Sequence, residues 1–274
     1  MIALDMDGTL LRRDGEVDPR DAEAIARARS HGITVTIATG RIAHGTLPTA
    51  RKLKLDAPVV CAEGAVIVDP VTGEYLDRQP LEAHHVEAFM TAAGDHGLAP
   101  FWFTHDEVHG EEIGRDHVDY VGTWSPRVTL HPALATSPTG ALLRDRVTMA
   151  VGIGAQASVE AARERIGGGH GGALLAVSFP LSLRRDAWTL LVRSAHVDKA
   201  VGLAWVARRL GFAGSQVAVV GDWVNDIPMF RWAGRSFVMG RSPEHVAEHA
   251  TDRLDAHGGQ GGGVAEAIAR LLGH

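Results

Sequence analysis

Short apolar runs that stop abruptly at polar, glycine-containing clusters, with amphipathic stretches between them, constrain this chain more than any other feature. Ile2-Ala3-Leu4 gives way to Asp5-Met6-Asp7-Gly8-Thr9, a buried strand running into a loop. Residues 18–31 carry a helix pattern: Asp18 as N-cap, Pro19 at the first position, and Ala22, Ile25, Ala26 and Arg29 at helical spacing. Ile33 to Ile37 reads as a second strand, ending at Ala38-Thr39-Gly40-Arg41, and Val59-Val60-Cys61-Ala62 as a third. This strand–helix–strand rhythm predicts a parallel sheet with helices on its faces. It returns late in the chain. Lys199 to Leu210 is helical, Val217 to Val220 is a strand ending at Gly221-Asp222, Ser236 to Met239 is another, and residues 264–272 close as a helix.

The middle follows other periods. From about residue 80 to 194 the patterns predict helices near 82–96 and 156–166, and strands near 99–103, 147–153, 174–179 and 188–193. Pro126, Pro132 and Pro138 break the section between, and Gly167-Gly168-Gly169-His170-Gly171-Gly172 reads as a flexible loop. Phe101-Trp102-Phe103 reads as core on alternating faces. With 274 residues the chain can build two cores. The expected organisation is an α/β domain at 80–194, inserted into a core made of residues 1–79 and 195–274.

In open α/β sheets, ligands bind beyond the carboxyl ends of the strands. Three expected strands end there in polar clusters: Asp5/Asp7, Thr39/Gly40/Arg41 and Asp222/Asn225/Asp226. Lys199, at the start of the helix before the last of them, reaches the same edge. Carboxylates gathered around one point repel one another unless a cation neutralises them, and an all-oxygen donor set suits Mg²⁺, which leaves room for a substrate phosphate. Lys199, the Thr39 hydroxyl and loop N–H groups complete a cage for a phosphoryl group. One carboxylate can attack phosphorus while a second serves as acid and base, a division of labour that Asp5 and Asp7 fit.

At these residues the sequence becomes familiar. Asp5-Met6-Asp7-Gly8-Thr9-Leu10-Leu11, Thr39-Gly40-Arg41, Lys199 and Gly221-Asp222-Trp223-Val224-Asn225-Asp226-Ile227-Pro228-Met229 resemble the four motifs of the haloacid dehalogenase-like superfamily. Their spacing resembles the Cof-type phosphatases, with an α/β cap between the second and third motifs. The resemblance implies a Rossmann-like parallel-sheet core with an inserted α/β cap, and a site between the two. It implies that Asp5 is the nucleophile and a metal ligand, and that Asp7 is the acid/base with its backbone carbonyl on the metal. Asp222 would bind Mg²⁺ directly with Asp226 in support, while Thr39, Gly40, Lys199 and Asn225 would serve the phosphate and Arg41 would reach toward substrate. The expected substrate is a small phosphorylated metabolite such as a sugar phosphate. The same core serves phosphatases of the mannosylglycerate- or sucrose-phosphate type and phosphomutases, and a phosphometabolite-binding regulator is the non-enzymatic alternative. Two departures stand out. Glu63-Gly64 replaces the Asn-Gly of many relatives, and position 223 holds Trp.

Other classes find less support. The formal charge of −6 offers no basic field for a nucleic-acid backbone. No apolar stretch approaches the roughly 20 residues of a membrane span, and no signal-like segment opens the chain, so a cytoplasmic enzyme is expected. One cysteine, Cys61, excludes an internal disulfide. Among 15 histidines, His245 and His249 lie at i, i+4, but position 246 is Val where a zinc-protease motif has Glu, so they read as a solvated helix face. The Gly258–Gly263 run is expected to end a strand and free Val264 to start the last helix.

Overall fold

The computed structural model describes residues 1–181 and 187–273. In chain order the elements are β1 (Ile2–Leu4), α1 (Pro19–Ser30), β2 (Val35–Ile37), α2 (Ala43–Lys52), β3 (Val59–Cys61), β4 (Val66–Val68) and β5 (Tyr75–Arg78). There follow α3 (Ala83–Asp95), β6 (Ala99–Thr104), β7 (Val108–Glu111), α4 (Val118–Val121), β8 (Val128–His131), α5 (Pro138–Leu143), β9 (Val147–Gly154), α6 (Gln156–Gly169), β10 (Leu174–Pro180) and β11 (Trp188–Ser194). The chain ends with α7 (Lys199–Leu210), β12 (Ala218–Gly221), α8 (Ile227–Trp232), β13 (Arg235–Val238), α9 (Glu244–Ala247), β14 (Asp252–Arg253) and α10 (Gly263–Leu272).

Two compact units result. The first comprises Met1–Gly40, Thr46–Asp77 and Asp198–His274; the second comprises Arg41–Gly45 and Arg78–Val197. The fold is the expected α/β arrangement: a parallel-sheet core whose sequence is interrupted by an inserted α/β unit.

The first unit holds a five-stranded sheet in the order β14-β13-β12-β1-β2, parallel throughout. Ile2, Leu4, Val35, Ile37, Val219 and Val220 are fully buried in it. Each such side chain contributes about 1.5–3 kcal/mol on leaving water, enough to hold strands this short in register. β3 departs from the simple rhythm. Among the described residues it bridges to the parallel sheet at Ala38–Val60, while its ladder runs antiparallel to β4 in a separate β3-β4-β5 sheet. Val59-Val60-Cys61 and Val66-Ile67-Val68 are close enough along the chain to pair locally, and both are buried.

α1 begins as its sequence dictates. The Asp18 carboxylate accepts the Arg20 N–H at 2.9 Å, and Pro19 occupies the first turn. α10, packed against α1, has a glycine N-cap, and two N–H groups at its start are satisfied by the other helix: buried Asp21 of α1 accepts from Gly262 and Ala265 at 2.8 and 2.7 Å.

The second unit is built on a six-stranded sheet in the order β10-β11-β9-β6-β7-β8, antiparallel except for β7–β8. Phe101, Trp102 and Phe103 are all fully buried, as core residues. Three local expectations need correction. Gly167, Gly168 and Gly169 continue α6 to its end, and the loop begins at His170. The helix tolerates them at roughly 1 kcal/mol each because Val159, Ala162 and Ile166 anchor its buried face. His249 lies beyond α9, so it shares no helix face with His245; it packs instead against Arg231. The Gly258–Gly263 run does not end a strand. It starts past β14, with Gly259, Gly261 and Gly262 in the left-handed region, and folds back onto the loop after β1.

Candidate active site

Strand ends position the side chains of the first unit. Asp5 follows β1 directly, held by its N–H to Val220 O at 2.9 Å. Asp222 follows β12, the strand next to β1, so the parallel register brings two carboxylates together from positions 217 residues apart. Thr39, fully buried, follows β2 and donates its N–H to Val60 O; its carbonyl receives the Glu63 N–H at 3.1 Å. Lys199 opens α7, whose N-cap Asp198 accepts the Val201 N–H at 2.9 Å. That cap fixes where the lysine leaves the backbone.

Lys199 is the centre of the arrangement. It has no exposed surface, and its Nζ lies 2.7 Å from Asp5 Oδ1 and 2.7 Å from Asp226 Oδ1. The second oxygen of Asp226 accepts the backbone N–H groups of Asp222 and Trp223 at 2.8 and 3.1 Å, so Asp226 ties the loop to the lysine. Thr9 donates to Asp222 Oδ1 at 3.4 Å. Gly8, at φ +83°, lets the chain pass so close to Asp222 that a Cβ there would overlap the carboxylate. Gly259 donates its N–H to Gly8 O at 3.0 Å, which braces the loop from the far side.

Asp5, Asp222 and Asp226 each offer an oxygen within 4.8 Å of the others. Burial raises the Asp5 carboxyl well above the usual carboxylate range; Lys199 opposes that shift, and the charges of Asp226 and Asp222 add to it. Burial and the Asp226 charge push Asp222 up to about 7. Burial works to lower the Lys199 ammonium, but the charges of Asp226, Asp5 and Glu63 outweigh it and leave it raised. One ammonium is thus set against more carboxylates than it can neutralise. A hard divalent cation on this oxygen set would relieve the repulsion, so the residues fit Mg²⁺.

The remaining expected residues take distinct places. Asp7 is exposed and its carboxylate is outside the close triplet. Asn225 donates through Nδ2 to Glu63 Oε1 at 2.9 Å, so one of its amide hydrogens is already engaged. Gly40 faces the Glu63 carboxylate closely enough that a Cβ would overlap it. Arg41 groups with the second unit. Thr9 and Gly259 enter the site without having been anticipated, and Glu63, noted in the sequence only as a departure from the family pattern, joins them. The glycine run and the Glu63 departure were visible signals, but nothing local in the sequence says what they touch.

A model of the haloacid dehalogenase-like hydrolase family matches residues 2–268. The chain is 27% identical over 275 residues to the 5-amino-6-(5-phospho-D-ribitylamino)uracil phosphatase YcsE of Bacillus subtilis, covering 100% of this chain and 94% of that one. It is 27% identical over 259 residues to the pyridoxal phosphate phosphatase YbhA of Escherichia coli, covering 91% of each. A haloacid dehalogenase-like hydrolase from Bacteroides thetaiotaomicron has the same fold, with a TM-score of 0.84 at 22% identity over 98% of both chains.

Proposed function

The chain belongs to the haloacid dehalogenase-like hydrolases, and from that premise we propose that it is a magnesium-dependent phosphatase in which Asp5 attacks the phosphorus of a small phosphomonoester. The observation that carries the reading is the buried Lys199 ammonium, 2.7 Å from both Asp5 and Asp226, in a ring of carboxylates short of positive charge.

Lys199 holds Asp5 Oδ1, which orients the carboxylate and leaves its other oxygen to attack. The phosphorus–ester bond breaks as the bond to Asp5 forms, and Asp7 gives its proton to the departing alkoxide. Asp7, exposed and so in reach of solvent, then takes a proton from a water that attacks the aspartyl-phosphate. Phosphate leaves and Asp5 is restored. Thr39 and Lys199 serve as phosphate donors, and Asp226 keeps the Asp222 loop in place through its two backbone hydrogen bonds. Asp5, Asp222 and the Asp7 carbonyl would hold Mg²⁺, which would supply charge to stabilise the transferring phosphoryl group. The two relatives named above are called phosphatases of small phosphorylated metabolites, which supports that substrate class.

Phosphate release from a panel of phosphorylated metabolites tests the reading. Release should require Mg²⁺, stop with chelator and fall to background in Asp5→Asn, whose amide is a poor nucleophile. An Asp5→Asn variant near the wild-type rate would overturn the mechanism.

A further inference from the structure

The chemistry above gives no task to Glu63, yet the fold keeps it inside the site. It follows β3 in the tight turn Ala62–Gly64, at φ +56°, ψ +26°, a left-handed conformation that suits Gly or Asn better than Glu. Its side chain is buried, with 8% exposure. Oε1 accepts the Asn225 amide at 2.9 Å and packs against Gly40, so the carboxylate stands between two candidate phosphate contacts. Its charge also acts on Lys199. Oε2 is equally buried and has no hydrogen-bond partner among the described residues.

A buried carboxylate oxygen without a donor is costly, and in native proteins such atoms have a use. A dianionic phosphate cannot supply the donor: its oxygens are acceptors and Glu63 repels them. Lys199 directs two of its three N–H groups to Asp5 and Asp226, and the proposed mechanism gives the third to phosphate. With phosphate in the cage, a turn of the Glu63 side chain that uncovers Oε2 would let an N–H or O–H on the alcohol esterified to that phosphate satisfy it. Coulomb attraction makes an ammonium the strongest such donor.

We propose that Glu63 is a specificity-determining residue, whose Oε2 accepts a hydrogen bond from an ammonium or hydroxyl near the ester oxygen of the leaving group. The enzyme then favours phosphomonoesters of amino alcohols and polyols over those whose alcohol carries no donor. This rests on the phosphatase reading and narrows its substrate class.

The test compares kcat/KM for 2-aminoethyl phosphate and ethyl phosphate, which differ by one donor, in wild type, Glu63→Gln and Glu63→Asn. Wild type should prefer the aminoethyl ester by about tenfold or more, the worth of one charge-assisted hydrogen bond. Both variants should lose most of that preference through a higher KM for the aminoethyl ester. Glu63→Asn takes the left-handed backbone more readily, so it should melt no lower than wild type. An unchanged substrate ratio in both variants would overturn the inference, as would a lower melting point with an equal loss on both esters, which marks a structural role. Failure of wild type to hydrolyse the aminoethyl ester while turning over donor-free phosphomonoesters overturns it and leaves the phosphatase reading standing. Failure on every phosphomonoester overturns both.

Discussion

A methyl group on Gly8 would overlap the carboxylate of Asp222 and would also have to hold a backbone at φ +83°. The loop carrying Asp5 and Asp7 can therefore approach Asp222 only because residue 8 has no side chain. Gly8→Ala should lower kcat/KM by about a hundredfold, the scale of an ångström-sized misplacement of catalytic groups. It should also raise the Mg²⁺ concentration for half-maximal rate, because the proposed mechanism has Asp5 and Asp222 hold the metal and the substitution would move them apart; steady-state kinetics across a Mg²⁺ titration would check this, and an unchanged Mg²⁺ requirement would oppose it. At this scale the sequence was most informative where chemistry and local pattern coincide. Asp5 and Asp222 end apolar runs, and the structure brings them together with Asp226. Lys199 was legible only through its place in a motif. The Glu63–Asn225 contact was not, since it joins residues 162 positions apart and depends on a left-handed turn that no periodicity announces.

Helix α1 owes its start to one residue. Asp18 caps it and accepts the Arg20 side chain at 2.9 Å, with Arg12 3.8 Å away. The Arg20 side chain and then its backbone N–H hold the Asp18 carboxyl down at about 2. A carboxyl lowered in the folded state stabilises fully above its unfolded value, near 3.8, and loses that contribution as pH falls toward 2. Asp18→Ala should therefore cost about 1 kcal/mol at neutral pH, and the gap in urea midpoint between variant and wild type should narrow below about pH 4. A gap that widened in acid would reverse the sign and refute the argument. Asp18-Pro19 is a local signal, and the sequence showed it plainly. Other elements obey distant partners. The three glycines of α6 look like loop until the buried Val159, Ala162 and Ile166 are seen to hold that helix together. β3 looks like another parallel strand until β4 offers it a nearer neighbour.

Across the whole chain, the helices and strands of the inserted unit were foreseen where their periods were strong, as in α3, β6, β9 and β11. The proline-broken stretch hid β7, β8, α4 and α5, short elements with too few residues to show a period. The inserted unit carries its own apolar cluster around Val86, Phe89, Trp102, Ala150, Val159 and Leu190, and so can bury a core without the rest. The first unit has an apolar cluster of its own, but it is assembled from two distant stretches of sequence, since β1 lies between β2 and β12. A chain truncated after Val197 should melt cooperatively through its inserted unit while the amides of Ile2–Leu4 exchange freely with solvent; protected amides there would contradict this. On the ribosome the consequence is one of timing. The strand that leads into Asp5 is made more than two hundred residues before its neighbour β12. The nascent chain must hold that apolar segment unpaired on one edge through the synthesis of an entire second unit, so the site is among the last parts of the enzyme to come into being.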